Sequence, residues 1–128
     1  MESNLIRAIK RRDHSALNAA IQSAGDLEYA DSQGWTPLFH AAHRGDVVAI
    51  RMLLEAGADV NRGIGQGFTA LFSAVMGLHL EAVKVLLDAG AKPVPVQGVA
   101  LQFHVQRRDE QRSQAIIAVL NESALKQA

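Results

Sequence analysis

The chain has no cysteine. Disulfides and thiolate metal sites are therefore excluded, and such a chain suits a reducing compartment, which makes a cytoplasmic location the expectation. Nor is there a surplus of charge, since thirteen Lys and Arg stand against thirteen Asp and Glu in 128 residues. Without a net positive field to draw in phosphate backbones, nucleic acid is not an expected partner. Long apolar runs are missing too. The longest stretch with few polar residues, Thr69 to Leu80, is shorter than the ~20 residues that cross a bilayer, and it carries His79. The start, Met1-Glu2-Ser3-Asn4-Leu5-Ile6-Arg7, has no apolar core behind a basic region, so it does not read as a secretory signal, and no membrane partner is expected.

Catalytic and metal-binding patterns are equally scarce. His40 and His43 lie three apart, but one should face the neighbouring helix and the other solvent, and no third or fourth ligand sits at useful spacing. His14, His79 and His104 stand alone and read as cap, turn or surface residues. Gly63-Ile64-Gly65-Gln66-Gly67 lacks dinucleotide-binding spacing and follows no strand, so it reads as a turn tip. Ser15, Ser23, Ser32, Ser73, Ser113 and Ser123 sit in no nucleophile context. The expectation is a protein without catalytic residues, cofactor or metal.

What the chain does have is a repeat. Gly34 to Ala58 falls position for position on Gly67 to Ala91, and 11 of the 25 positions are identical, among them Gly34/Gly67, Thr36/Thr69, Leu38/Leu71, Leu53/Leu86 and Gly57/Gly90. Self-similarity at a fixed period marks a unit that cannot bury its own apolar face and must stack on copies of itself.

Within the unit, Thr36 followed by Pro37 predicts an N-cap and first helical residue, because the hydroxyl accepts an orphan N–H and proline needs no donor there. Leu38, Phe39, Ala41 and Ala42 supply the buried side of this first helix, and Gly45 ends it in a left-handed conformation. Asp46 should cap a second helix, whose Val47, Ile50, Leu53 and Leu54 follow helical spacing, and Gly57 should stop it. Truncating Leu53, Leu54, Leu86 or Leu87 to alanine is expected to cost about 2 to 5 kcal/mol each. The polar and glycine-rich stretches between units suit a projecting turn.

These residues carry a resemblance. Gly34-Trp35-Thr36-Pro37-Leu38-Phe39-His40-Ala41-Ala42 and Leu53-Leu54-Glu55-Ala56-Gly57-Ala58-Asp59-Val60-Asn61 resemble the ankyrin repeat, with its T-P-L-H-x-A signature and period of 33. The implied fold is all-α, a solenoid of stacked helix-turn-helix units with projecting turns. Three positions depart from the pattern: Phe39 replaces the usual histidine, which should cost a hydrogen bond between turns; Ala70 replaces the proline; Leu78 replaces the inter-helix glycine and predicts a less sharp bend.

The same register extends to both ends. Leu5, Ala8 and Ile9 fall one period before Leu38, Ala41 and Ala42, with Arg7, Lys10, Arg11 and Arg12 charging a terminal unit. After the extended Lys92-Pro93-Val94-Pro95-Val96, residues 98–107 read as a worn first helix and 114–120 as a second, with Ala115, Ile116, Val119 and Leu120 buried and Gln111, Arg112, Gln114 and Asn121 outward. The expected organisation is one domain spanning 1–128, with an N-terminal capping repeat at 1–30, repeats at 31–63 and 64–96, and a C-terminal capping repeat at 97–128. That reads as a complete small protein of four helix pairs.

The resemblance implies a module that binds another protein along a concave face of turns and first helices. Carried onto this chain, the face comprises Ser32, Gln33, Trp35, His43 and Arg44, then Gly65, Gln66, Phe68, Met76 and Gly77. Lys10 and Arg11 extend it at one end, and Gln106 and Arg107 at the other. Trp35 and Phe68, one repeat apart, either anchor a partner or brace the adjacent turn, and the sequence leaves both readings open. The basic residues are either a solvated face or a stripe that selects an acidic segment with apolar anchors. A monomer is expected. An inhibitor or immunity-type subunit that blocks an enzyme or toxin is the alternative to a general interaction module.

Overall fold

The computed structural model describes residues 3–23, 26–63, 69–92 and 110–127, and among them every regular element is helical. The elements in chain order are α1 (Asn4–Lys10), α2 (His14–Gln22), α3 (Pro37–His43), α4 (Val47–Glu55), α5 (Ala70–Met76), α6 (Leu80–Asp88) and α7 (Glu110–Gln127).

Each of the first three helix pairs is built by the same local chemistry, repeated once per period. Ser3, Thr36 and Thr69 cap the first helices, their hydroxyls accepting from Ile6 N–H at 3.2 Å, Phe39 N–H at 3.2 Å and Phe72 N–H at 3.4 Å. Pro37 occupies the first turn of α3, where no N–H is needed. The inter-helix bends place Arg12, Gly45 and Leu78 in the left-handed region, with φ of 53°, 65° and 59°. In each bend the following amide, of Asp13, Asp46 or His79, donates 3.0 Å back to the carbonyl of Ala8, Ala41 or Ala74.

The looser turn expected at Leu78 is therefore not found. Holding a non-glycine residue left-handed costs about 1–2 kcal/mol, but the Leu78 side chain is 5% exposed, and burying a leucine is worth about 1.5–3 kcal/mol. Packing offsets the strain. Arg12 recovers its own cost differently, its guanidinium donating to the Arg44 carbonyl at 3.1 Å in the next unit.

The second helices begin at Asp13 and Asp46, whose carboxylates accept from Ala16 N–H at 3.0 Å and Ala49 N–H at 3.2 Å. Helix α4 buries Ala49, Ile50 and Leu53, and α6 buries Ala82, Val83 and Leu86. Gly57 and Gly90, at φ of 102° and 97°, end the two helices. Leu54 and Leu87 lie at the edge of the stripe and are only partly buried. The cost expected for truncating them is accordingly too high, because part of each side chain already meets water.

The pairs stack in two layers. Helices α1, α3 and α5 pack side by side, as do α2, α4, α6 and α7. Leu5, Leu38 and Leu71 hold matching places in one continuous core that runs on to Ile116 and Leu120 of α7. Ala115 and Val119 are partly covered, while Gln111, Arg112, Gln114 and Asn121 are exposed. The first helix expected at 98–107 lies outside the described residues.

Side chains also tie unit to unit. Glu28 Oε1 accepts from Asp59 N–H at 2.8 Å, and one repeat later Asn61 Oδ1 accepts from Lys92 N–H at 2.8 Å. His14, expected to stand alone, donates from Nε2 to both carboxylate oxygens of Asp46, at 2.8 and 3.0 Å. Its ring thus bridges α2 to the start of α4.

Candidate partner-binding face

The turn before α3 is held by one carboxylate. Asp31 Oδ1 accepts from Gln33 N–H at 2.9 Å and Trp35 N–H at 3.0 Å, and the Asp31 carbonyl accepts from Gly34 N–H at 2.9 Å. Gly34 takes φ of 83°, which suits glycine. Ser32 and Gln33 are thereby pushed out as an exposed tip.

The other oxygen of Asp31 turns inward. His40 donates from Nε2 to Asp31 Oδ2 at 2.7 Å, with side chains only 3% and 8% exposed. On the opposite edge of the ring, Arg44 Nη1 donates to His40 Nδ1 at 3.3 Å and to the His40 carbonyl at 3.4 Å. A carboxylate on one side and a guanidinium on the other select the neutral Nε2–H tautomer. Burial pushes the His40 imidazole below its ordinary value and outweighs the pull of the Asp31 carboxylate, with Arg44 and Lys10 adding to the depression. Burial alone would raise Asp31, but the hydrogen bonds from His40, Trp35 and Gln33 prevail and hold its carboxyl below the usual range.

Asp31, His40 and Arg44 thus form a short polar chain from the turn to the end of α3. In the sequence His40 reads only as half of a poor metal pair, although a turn aspartate followed at a fixed step by a first-helix histidine was available as a signal. With Phe39 in the usual histidine position, a histidine-to-turn hydrogen bond is still made, from the next position along.

Trp35 lies over this chain. Its ring centroid is 4.7 Å from Phe39, 5.1 Å from His40 and 5.3 Å from His43, the last with the rings edge to face. The indole is partly covered and lies against Phe39, His40 and His43 of α3. A rigid, partly exposed indole beside an arginine is the composition that interface centres favour.

Lys10, His43 and Met76 are the last residues of their first helices, with Arg11, Arg44 and Gly77 as the C-caps. Lys10, Arg11 and His43 are exposed, and Arg44, Met76 and Gly77 partly so. The face therefore runs from the Ser32–Gln33 tip, over Trp35, to the C-terminal ends of α1, α3 and α5. Gly65, Gln66, Phe68, Gln106 and Arg107 lie outside the described residues. Burial lowers the His43 imidazole, and the charges of Arg44 and then His79 lower it further.

His79 stands where Asp13 and Asp46 cap the earlier second helices, yet it makes no cap bond. Its Nε2 donates instead to the His43 carbonyl at 3.0 Å. The ring occupies the space of missing side chains on both sides: a Cβ on Gly77 would fall 2.5 Å from it, and one on Gly45 would also collide. Ser73, in the register position of His40, is 3% exposed. Its hydroxyl is the one buried side-chain polar atom among the described residues without a hydrogen-bond partner.

No group of three or more potential metal ligands occurs among the described residues, and no described helix is long and apolar enough to cross a membrane. A depression of about 420 Å³ lies against α1 and α2 and is floored by Ala8, Ala16, Ala19 and Ala20.

Stacked helix pairs in a fixed register, with a face of turns and first-helix ends, define a helical repeat solenoid. The family model for ankyrin repeats in three copies matches residues 5–96, well over half of the chain, and the protein belongs to the ankyrin-repeat family. Among curated proteins none matches the chain. Members of the family are generally modules for binding other proteins. The match ends before the fourth unit, so a C-terminal capping repeat at 97–128 stands as a proposal supported by the packing of α7 on α6.

Proposed function

We propose that this protein is a non-catalytic module that binds a partner protein through the face centred on Trp35, with Ser32 and Gln33 at its tip and Lys10, Arg11, His43, Arg44 and Met76 along its length. Gln66 and Phe68 extend it into the third unit. The observation that carries this reading is the partly exposed indole held against Phe39 and His40 of α3, with Arg44 hydrogen-bonded to the same His40. A side chain already fixed in place loses little freedom on binding, so its burial converts efficiently into affinity.

The chemistry of the face favours an acidic segment with one or two apolar side chains. Nearby carboxylates are already engaged: Asp31 by His40, Asp46 by His14 and the Ala49 amide, and Asp13 by the Ala16 amide. Arg11 and His43 are exposed on the same face, and their chemistry suits a partner's acidic groups.

The test is capture of partners from the native host by wild-type protein and by a Trp35→Ala, Arg44→Ala, Phe68→Ala triple variant. Helicity should persist and capture should be lost. Undiminished capture would show that the face is elsewhere.

A further inference from the structure

We propose that docking of an acidic segment on this face takes up a proton at His43, so that the complex tightens as the solution becomes more acidic across the neutral range. The inference rests on the binding reading above and adds its regulation.

His43 is exposed, its ring edge lies against Trp35, and it is the last residue of α3. The two groups whose charge acts on its imidazole are basic or can become so. Its own helix end supplies Arg44 and the turn before α6 supplies His79, while α1, packed against α3, carries Lys10 and Arg11 at its own C-terminal end. The neighbouring Met76 carries no charge, and the Asp31 carboxylate is committed to His40. In the free protein burial disfavours the imidazolium, the charges of Arg44 and His79 disfavour it further, and His43 is mostly neutral near pH 7.

A partner carboxylate laid across the same cations reverses the balance. It neutralises the repulsion from Arg44 and faces the imidazole directly, so the protonated ring becomes the better-paired form in the complex. When the bound state holds more protons than the free state, affinity must rise as pH falls between the two titration points. The site would then select for a carboxylate and report acidity through a single surface residue.

The experiment is isothermal titration of the full chain with a short polyglutamate peptide carrying two leucines, from pH 8 to pH 6. This window lies above the titration of glutamate, so the peptide charge stays constant. Running it in buffers of different ionisation enthalpy counts the protons taken up. Affinity should rise about fivefold to tenfold, the effect of moving one group by roughly one pKa unit, with up to one proton absorbed. His43→Gln, whatever its affinity at pH 8, should gain nothing between pH 8 and pH 6, while His79→Gln should keep most of the pH response. Binding without pH dependence, or a pH response that survives in His43→Gln, would overturn this inference and leave the binding face standing. Failure of the peptide to bind at any pH would overturn both.

Discussion

Replacing Gly77 with alanine measures how firmly the His79 ring fastens the third helix pair to the second. Gly77 sits at the C-cap of α5 with φ of −83°, an ordinary right-handed conformation. On backbone grounds alone, alanine there should stabilise by about 0.4–1 kcal/mol, because the unfolded chain loses freedom. The added Cβ, however, lands 2.5 Å from His79 Cδ2 and 2.6 Å from Nε2. The ring must swing away, giving up its bond to the His43 carbonyl, worth about 0.5–1.5 kcal/mol, together with roughly 1 kcal/mol of dispersion contact over the two glycines. The net expectation is a loss of about 1–1.5 kcal/mol. With His79→Ala already in place the clash is gone, and Gly77→Ala should then stabilise by about 0.5 kcal/mol. The sign reversal is the diagnostic, corresponding to a coupling of about 2 kcal/mol in a double-mutant cycle. Urea unfolding followed by circular dichroism, with unchanged slope, gives all four stabilities. If Gly77→Ala stabilises equally in both backgrounds, the histidine is not a fastener and the reasoning fails.

Leu53→Ala and Leu86→Ala should each cost about 2–5 kcal/mol, and Leu54→Ala clearly less, since the first two are fully buried and Leu54 is not; equal losses in urea unfolding would contradict the packing described. Stability should decline from about pH 6.5 downward, because there the unfolded chain protonates a histidine that native His40 keeps neutral. The slope from this group is at most about 1.4 kcal/mol per pH unit, it acts until its depressed folded pKa is passed, and it should flatten in His40→Gln. Asp31, held below its usual value, contributes stability that is present near neutrality and lost on further acidification. Ser73→Ala should be neutral or stabilising by up to about 1 kcal/mol, as it removes a buried hydroxyl that lacks a partner, and a large loss would reveal a bond to that oxygen.

The repeat was legible because its determinants are local. A hydroxyl at Thr36, an aspartate at Asp46 and glycines at Gly45 and Gly57 act on backbone within a turn of themselves, so a linear reading finds them. The core followed from the same period, since Leu38 and Leu71 must find cover in adjacent copies. What escaped depends on contacts between one unit and the next. His79 reaches the His43 carbonyl, and His14 reaches Asp46, from positions that look solitary in the sequence. Leu78 misled for a related reason: the left-handed bend is set by a backbone hydrogen bond common to all three units, and the burial that permits a leucine there shows only after stacking. The proposed face was outlined from the register alone, whereas the Asp31–His40–Arg44 chain beneath it was not legible there.

The ties between linkers have a direction. In both cases the acceptor side chain comes first in the sequence, Glu28 ahead of the Asp59 amide and Asn61 ahead of the Lys92 amide. A chain leaving the ribosome would find each clasp waiting before the strap that closes on it has been made, and could seat its units one after another from the amino end. At the next such place stands Val94, whose side chain has no polar atom. Valine cannot form that clasp a third time, and among the described residues the outermost packing is that of α7 against α6.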